Sequence, residues 1–369
     1  MGILGKHALK LGLFLLGLFL AAAAYVGVGV QSYLQYQHSY ALYGQGACGA
    51  EFTWTINPEA LAASSGAEPQ MLSSFYSNLD SLLTVRYRSG ISQQITLSVQ
   101  VPNFTQEEPL TVEATPAWQS QTFHPPILPG MIDTLAAVSY RDSQILLRVS
   151  AASGKSCTTS QPVRLLSSRT MSWQGPQSQD NAEFLAAWVT PQDPSIRELL
   201  SRATIRLQNS PALYPGTSEM VGYDGSEQDV INQVNAIYDT LEQDYHVRYS
   251  RITIEYGQPA LENILLPKDV LQSGLGMCVE TTITMASAIE SLHMRPFIYI
   301  IPGHAFLGVA PGPTSDARLF WETSLLGQGN QGSQAHQQGT QEYQQNVSQI
   351  IRVIDIVAER QQQHIYPME

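Results

Sequence analysis

The stretch Gly274-Leu275-Gly276-Met277-Cys278-Val279-Glu280-Thr281-Thr282 constrains this chain more than any other. Gly274 and Gly276 permit a tight approach to the cysteine, and apolar residues recur after it at Val279, Ile283, Ala286 and Ile289. Three- and four-residue spacing of that kind predicts a helix that begins at Cys278. At a helix N-terminus, unpaired N–H groups and the helix dipole favour the thiolate. Further along, Pro302-Gly303 precedes His304 and an apolar run from Ala305 to Ala310, which reads as a turn and a strand. Leu319-Phe320-Trp321 predicts another strand, with Glu322 directly after it. A thiol, an imidazole and a carboxylate thus stand at the edges of three different elements. A nucleophilic thiol needs a base beside it, and the base needs an acceptor that orients it.

These segments, G-x-C-V-E-T-T, then R-P-F-I-Y-I-I-P-G-H-A-F-L-G-V, then W-E-T, resemble the transglutaminase-like superfamily of papain-like cysteine enzymes, in particular an exported bacterial branch. The resemblance runs from near Asp229 to the C-terminus. It implies Cys278 as nucleophile, His304 as general base and acid, and Glu322 as the carboxylate that orients the imidazole. Many members carry Asp where this chain has Glu322; the longer side chain still supplies a carboxylate. Gln272 stands where papain-like enzymes often hold the side-chain donor of the oxyanion hole, and Gln258 competes for that role. The backbone N–H of Cys278 is a donor that needs no side chain. The implied chemistry is acyl transfer on a peptide or carboxamide bond, with a protein or peptide as substrate. Water as acceptor makes it a protease or amidase, and an amine makes it a transglutaminase. The competing class is a non-catalytic envelope binding or scaffold protein that uses a papain-like fold.

Composition narrows the classes. The 369 residues carry a formal net charge of −12 and no basic run, which excludes nucleic acid as a partner. With 43 % hydrophobic residues the chain has the means to bury cores, and its length allows two or three domains. No H-E-x-x-H, paired C-x-x-C, EF-hand or P-loop pattern occurs, so neither a metal nor a cofactor is expected. Glu280 reads as a solvated first-turn acid and His293 as a helix-end residue. His336 and His364 stand in glutamine-rich polar segments without ligand spacing.

Leu11 to Val30 is an uncharged apolar run behind Lys6 and Lys10. It is long enough for a membrane helix, and the basic flank keeps the N-terminus in the cytoplasm. The expected location is the inner membrane, single-pass, with the bulk in the periplasm or outside; Ala21 to Ala24 offer the alternative of a cleaved signal peptide. Short runs rich in β-formers, punctuated by Pro, Gly, Ser and Asn, predict a sandwich-like domain over 44–173, a candidate surface for an envelope protein partner. Cys48 and Cys157 are candidates for a disulfide in an exported chain, which would leave Cys278 free. Over 174–225 a linker leads to Asp193, a predicted N-cap with Pro194 at the first helical position. The catalytic domain spans 226–369 and opens with a helix whose apolar face is Val230, Val234, Ile237, Tyr238 and Leu241. Gly327 to Thr340 reads as flexible low-complexity sequence, and Glu342 to Gln361 as a closing helix. The expected fold class is α+β: an N-terminal membrane helix over 1–31, a β-sandwich-like domain and a papain-like domain.

Overall fold

The structure, a computed structural model, describes residues 41–44, 48–63, 68–175, 180–250 and 261–368. It is α+β and forms two compact units. One takes in the described residues up to Asn57 with Ser81–Ile127 and Gln144–Gln161; the other takes in Pro58–Asp80, Leu128–Ser143 and the chain from Pro162 onward. The expected membrane helix is corrected. Among the described residues no helix is long and apolar enough to cross a membrane, and the segment 1–31 lies outside them.

Strands β1 (Ala41–Gly44), β2 (Glu51–Ile56), β3 (Gln70–Met71), β4 (Leu83–Arg88), β5 (Gln93–Gln100), β6 (Glu108–Ala114) and β7 (Gln119–Phe123) come first. A short helix α1 (Met131–Ala136) follows, then β8 (Tyr140–Ala151), β9 (Ser156–Leu166) and β10 (Thr170–Ser172). In the first unit β1-β2-β4-β7 make one antiparallel sheet, while β5 pairs antiparallel with β6 and with β8. Alternation sets which side is buried: Phe52, Trp54 and Ile56 of β2 are buried while the residues between them are not. Cys48 and Cys157 are joined, with Cα atoms 5.3 Å apart and a sequence separation of 109. Closing so long a loop stabilises the folded unit by roughly 4–5 kcal/mol in the chain-entropy account.

The second unit carries helices α2 (Pro194–Asn209) and α3 (Glu227–Gln243). Asp193 caps α2 by accepting from the Ser195 N–H, as its sequence predicts, and the helix continues well past Arg202. Ser226 and Asp229 cap α3 reciprocally, and its five expected apolar residues are all buried. After β11 (Arg248–Tyr249) and β12 (Leu261–Asn263) come α4 (Pro267–Ser273), β13 (Leu275–Gly276) and α5 (Cys278–Ser291). Then β14 (Pro296–Ile301), β15 (His304–Val309) and β16 (Leu319–Trp321) lead to α6 (Gly332–Asn346), β17 (Arg352–Asp355) and α7 (Ile356–Gln362). The sheet order is β16-β15-β14-β17, antiparallel throughout. Ile298, Ile300, Ala305 and Leu307 face a core shared with α5, and Phe297, Tyr299, Ile301 and Phe306 face an aromatic cluster closed by Tyr343.

Helix α5 is not amphipathic. Every residue from Cys278 to Ile289 is buried, Thr284 and Ser287 included, so it is the unit's central helix. Those hydroxyls are satisfied within the helix, Thr284 donating to the Glu280 carbonyl and Ser287 to that of Ile283.

The tail differs from its sequence reading. Gly332 to Thr340, expected to be flexible, belongs to α6. Its glycines are there for contact: a Cβ at Gly332 would lie 2.5 Å from the Asn235 Cα, and one at Gly339 2.5 Å from the Trp321 backbone N. The expected single closing helix is interrupted by β17, because Arg352 to Asp355 pair with Phe297 to Ile300 of β14. Backbone pairing beside a buried strand outweighs the weak helical spacing of that segment.

Candidate active site

Cys278 is the first residue of α5, and Met277 precedes it in extended conformation. The start of the helix is held by Glu280, whose carboxylate accepts the Met277 N–H at 2.7 Å and the Leu265 N–H at 2.9 Å. This corrects the solvated acid expected at Glu280, which is 3 % exposed. Burial raises its pKa and the two backbone donors oppose that rise. Threonines tie the same turn to the short 3-10 turn Thr323–Leu325 that follows β16: Thr281 Oγ1 donates to Thr323 Oγ1 at 2.9 Å, and Thr282 Oγ1 lies 3.1 Å from it.

His304 opens β15 directly after the two-residue turn Pro302-Gly303, which closes the hairpin with β14 by pairing Ile301 with His304. Gly303 sits at φ +72°, a conformation that favours glycine. His304 Nε2 is 2.8 Å from Glu322 Oε2. The ring also hydrogen-bonds Cys278, and Nδ1 is the nitrogen left for that contact. Burial alone lowers the imidazole pKa. The hydrogen bonds to Cys278 and Glu322, with their negative charges, outweigh it and raise the value from 6.5 to about 10. The ring is therefore held as imidazolium between the Cys278 sulfur and the Glu322 carboxylate.

Glu322 follows β16 and is 4 % exposed. Its second oxygen accepts the Ser324 N–H at 2.8 Å, and its own N–H donates to the Ala335 carbonyl at 2.9 Å. Two further side chains, Asn235 and His336, hold this segment, and neither stands out in the sequence as part of the site. Trp321 Nε1 donates to Asn235 Oδ1 at 2.8 Å; His336 stacks on Trp321 at 4.5 Å and pairs its Nδ1 with the Phe320 carbonyl; Tyr238 is fully buried nearby. Burial lowers the His336 pKa, so it acts as a neutral N–H donor to that carbonyl. Burial, then the carboxylates of Glu242, Asp239 and Glu322, raise that of Tyr238. The signal that could have found His336 and Asn235 is long-range pairing, which a single sequence does not display.

Gln272 is an exposed residue of α4. It lines two cavities, one with Arg169 and Lys268 and one with Tyr245, His246 and Arg248, and neither lining includes Cys278. Gln258 lies outside the described residues. The structure thus brings together Cys278, His304 and Glu322 and sets Gln272 on the surface of the preceding helix. Cys278 is outside any disulfide and is 1 % exposed. Among the described residues no cluster of His, Cys, Asp or Glu has the form of a metal site.

No protein-family model matches the chain, and no curated protein matches it. Among solved structures, a candidate cysteine protease from Cytophaga hutchinsonii is similar over 64 % of this chain and 73 % of its own, at 10 % sequence identity and a TM-score of 0.20.

Proposed function

We propose that this chain is a cysteine enzyme that transfers the acyl group of a peptide or carboxamide bond. The observation that supports the reading is the hydrogen-bonded line Cys278–His304–Glu322, anchored at the N-terminus of a buried helix. In the proposed reaction the Cys278 thiolate attacks the carbonyl carbon, and the oxygen takes the negative charge beside the first-turn N–H of Cys278. His304 gives its proton to the departing nitrogen as the C–N bond breaks, leaving a thioester. The neutral imidazole then takes a proton from water or from an amine, whose attack releases the acid or the new amide and restores the thiolate. Glu322 keeps the ring's tautomer and stabilises its charged form. The Cys48–Cys157 bond supports an oxidising, extracytoplasmic setting.

The 1 % exposure of Cys278 favours a second reading, a scaffold whose thiol meets no substrate. One experiment separates the two. The chain has three cysteines and two are bridged, so intact mass reports on Cys278 alone. Folded wild type treated with iodoacetamide or a peptide-derived electrophile is expected to gain one adduct, absent in Cys278→Ala. An adduct that forms only after unfolding in denaturant would support the scaffold instead.

A further inference from the structure

Away from the thiol, the second unit holds a cavity of about 560 Å³ between α1 and α4. Arg169 lines it, and lines a second cavity of about 320 Å³ as well. The Arg169 side chain is only 9 % exposed. Its Nε donates to Asp269 Oδ2 at 3.0 Å, and that oxygen also accepts the Leu266 N–H at 3.1 Å. Nη1 is buried and has no hydrogen-bond partner among the described residues. Buried guanidinium groups ordinarily have their N–H groups matched, because an unmatched one forfeits its hydration. Here Nε is engaged by Asp269 and Nη1 is left unmatched, in a side chain that lines two cavities.

The geometry points to a binding site for the carboxylate of a short peptide, with Arg169 as its anchor. A guanidinium fork matches the two oxygens of a carboxylate in plane, which a point charge does not. Asp269 also lines the cavity and engages Arg169 Nε and the Leu266 N–H through Oδ2 alone, so it offsets only part of the guanidinium's charge. Lys268 and Asp133 also line the cavity and form a 3.2 Å pair in which the Asp133 side chain is 74 % exposed, a weak surface contact that a ligand's carboxylate can exchange. Ala136, Ala137 and Leu265 offer small apolar walls to the chain behind the carboxylate, and Gln272 and Ser273 offer polar partners to its amides. The inference does not depend on the acyl-transfer reading, because none of these residues belongs to the Cys278–His304–Glu322 line.

The test uses the full chain carrying Cys278→Ala, so that binding is read without turnover. Isothermal titration is run with N-acetyl-trialanine, with its C-terminal amide, and with that amide carrying one internal glutamate. The free acid is expected to bind at least tenfold more tightly than the plain amide. Arg169→Gln and Ala136→Phe should each weaken the acid at least tenfold. The second variant fills the cavity without touching the Arg169–Asp269 pair, so it stays informative if Arg169→Gln unfolds. Binding of the glutamate peptide as tight as that of the acid assigns the site to acidic side chains; binding as weak as that of the plain amide assigns it to chain termini. Equal binding of acid and plain amide, wild-type affinity in Ala136→Phe, or no binding of either carboxylate would overturn the proposal.

Discussion

Two carboxylates stand within a few residues of the reactive constellation, and both are almost fully buried: Glu280 at 3 % exposure and Glu322 at 4 %. Their partners differ. Glu280 spends both oxygens on backbone N–H groups, those of Met277 and Leu265. Glu322 spends one on the Ser324 N–H and the other on an imidazole. A carboxylate held wholly by backbone donors fixes a chain path, and here it fixes where α5 begins. A carboxylate shared with a side chain that titrates can hold that side chain in one protonation state. Burial is the same in the two places, so burial alone does not mark the residue that carries chemistry.

The sharpest way to break this comparison is Glu322→Gln. The amide keeps the size of the side chain and removes the charge facing His304, so turnover of a peptide amide is expected to fall by about 10³–10⁴-fold, the scale seen when a triad carboxylate is neutralised. The chain should still fold, with a thermal midpoint lowered by the lost pairing with His304. Unchanged turnover would take the orienting role away from Glu322.

Glu280→Ala should do the converse. It leaves the Met277 and Leu265 N–H groups without their acceptor in a buried place, at about 1–3 kcal/mol for each. A loss of about 3 kcal/mol is expected in denaturant unfolding, with alkylation of Cys278 still stoichiometric in the folded fraction. A variant as stable as the wild type would show that the helix start needs no carboxylate.

Gly339→Ala acts on the Glu322 side through packing. Alanine is favoured over glycine inside a helix by about 1 kcal/mol. The added Cβ would meet the Trp321 backbone N at 2.5 Å and its Cα at 2.6 Å, and backbone cannot yield as a flexible side chain does. Overpacking of this kind costs about 1–3 kcal/mol, so the clash wins. Turnover should fall as β16 shifts, and restoring glycine at that position alone should recover it.

That glycine also shows why some of the molecule was readable in the sequence and some was not. Cys278, His304 and Glu322 each follow a local signal: a glycine-rich approach to a helix, a Pro-Gly turn, a short strand. The caps at Asp193 and Ser226 are local too. The segment from Gly327 to Thr340 reads as unstructured because its glycines disfavour a helix and its polar residues leave no apolar stripe. The reasons for its glycines, Asn235 and the Trp321 backbone, belong to other elements. Glu280 looked solvated for the same reason, since its second donor, Leu265, lies outside its helix. Ile350 to Ile354 satisfied helical spacing and β-branching at once, and only the partner strand β14 decides between them.

The smallest expected effect bears on the imidazole that the two carboxylates treat so differently. The His304 pKa is raised from 6.5 to about 10, so the folded state binds its proton more tightly than the unfolded chain does. The His304 contribution is whole below about pH 6.5 and is lost as pH climbs through about 10, and because the unfolded thiol keeps its own proton up to about pH 8.5, the decline in unfolding free energy should be read between about pH 8.5 and 10. The thiol and the imidazole titrate as a pair, so apparent values belong to both. His304→Ala removes the cation facing Cys278. At pH 7 alkylation should slow, because the thiol loses the imidazole that takes its proton. Glu322→Gln should slow it by less, because the ring remains and only its charged form is less favoured. Glu280→Gln should leave the alkylation profile in place, since its carboxylate touches neither partner. A profile moved by Glu280→Gln and indifferent to His304→Ala would exchange the roles of the two acids, and the acyl-transfer reading would fall with that exchange.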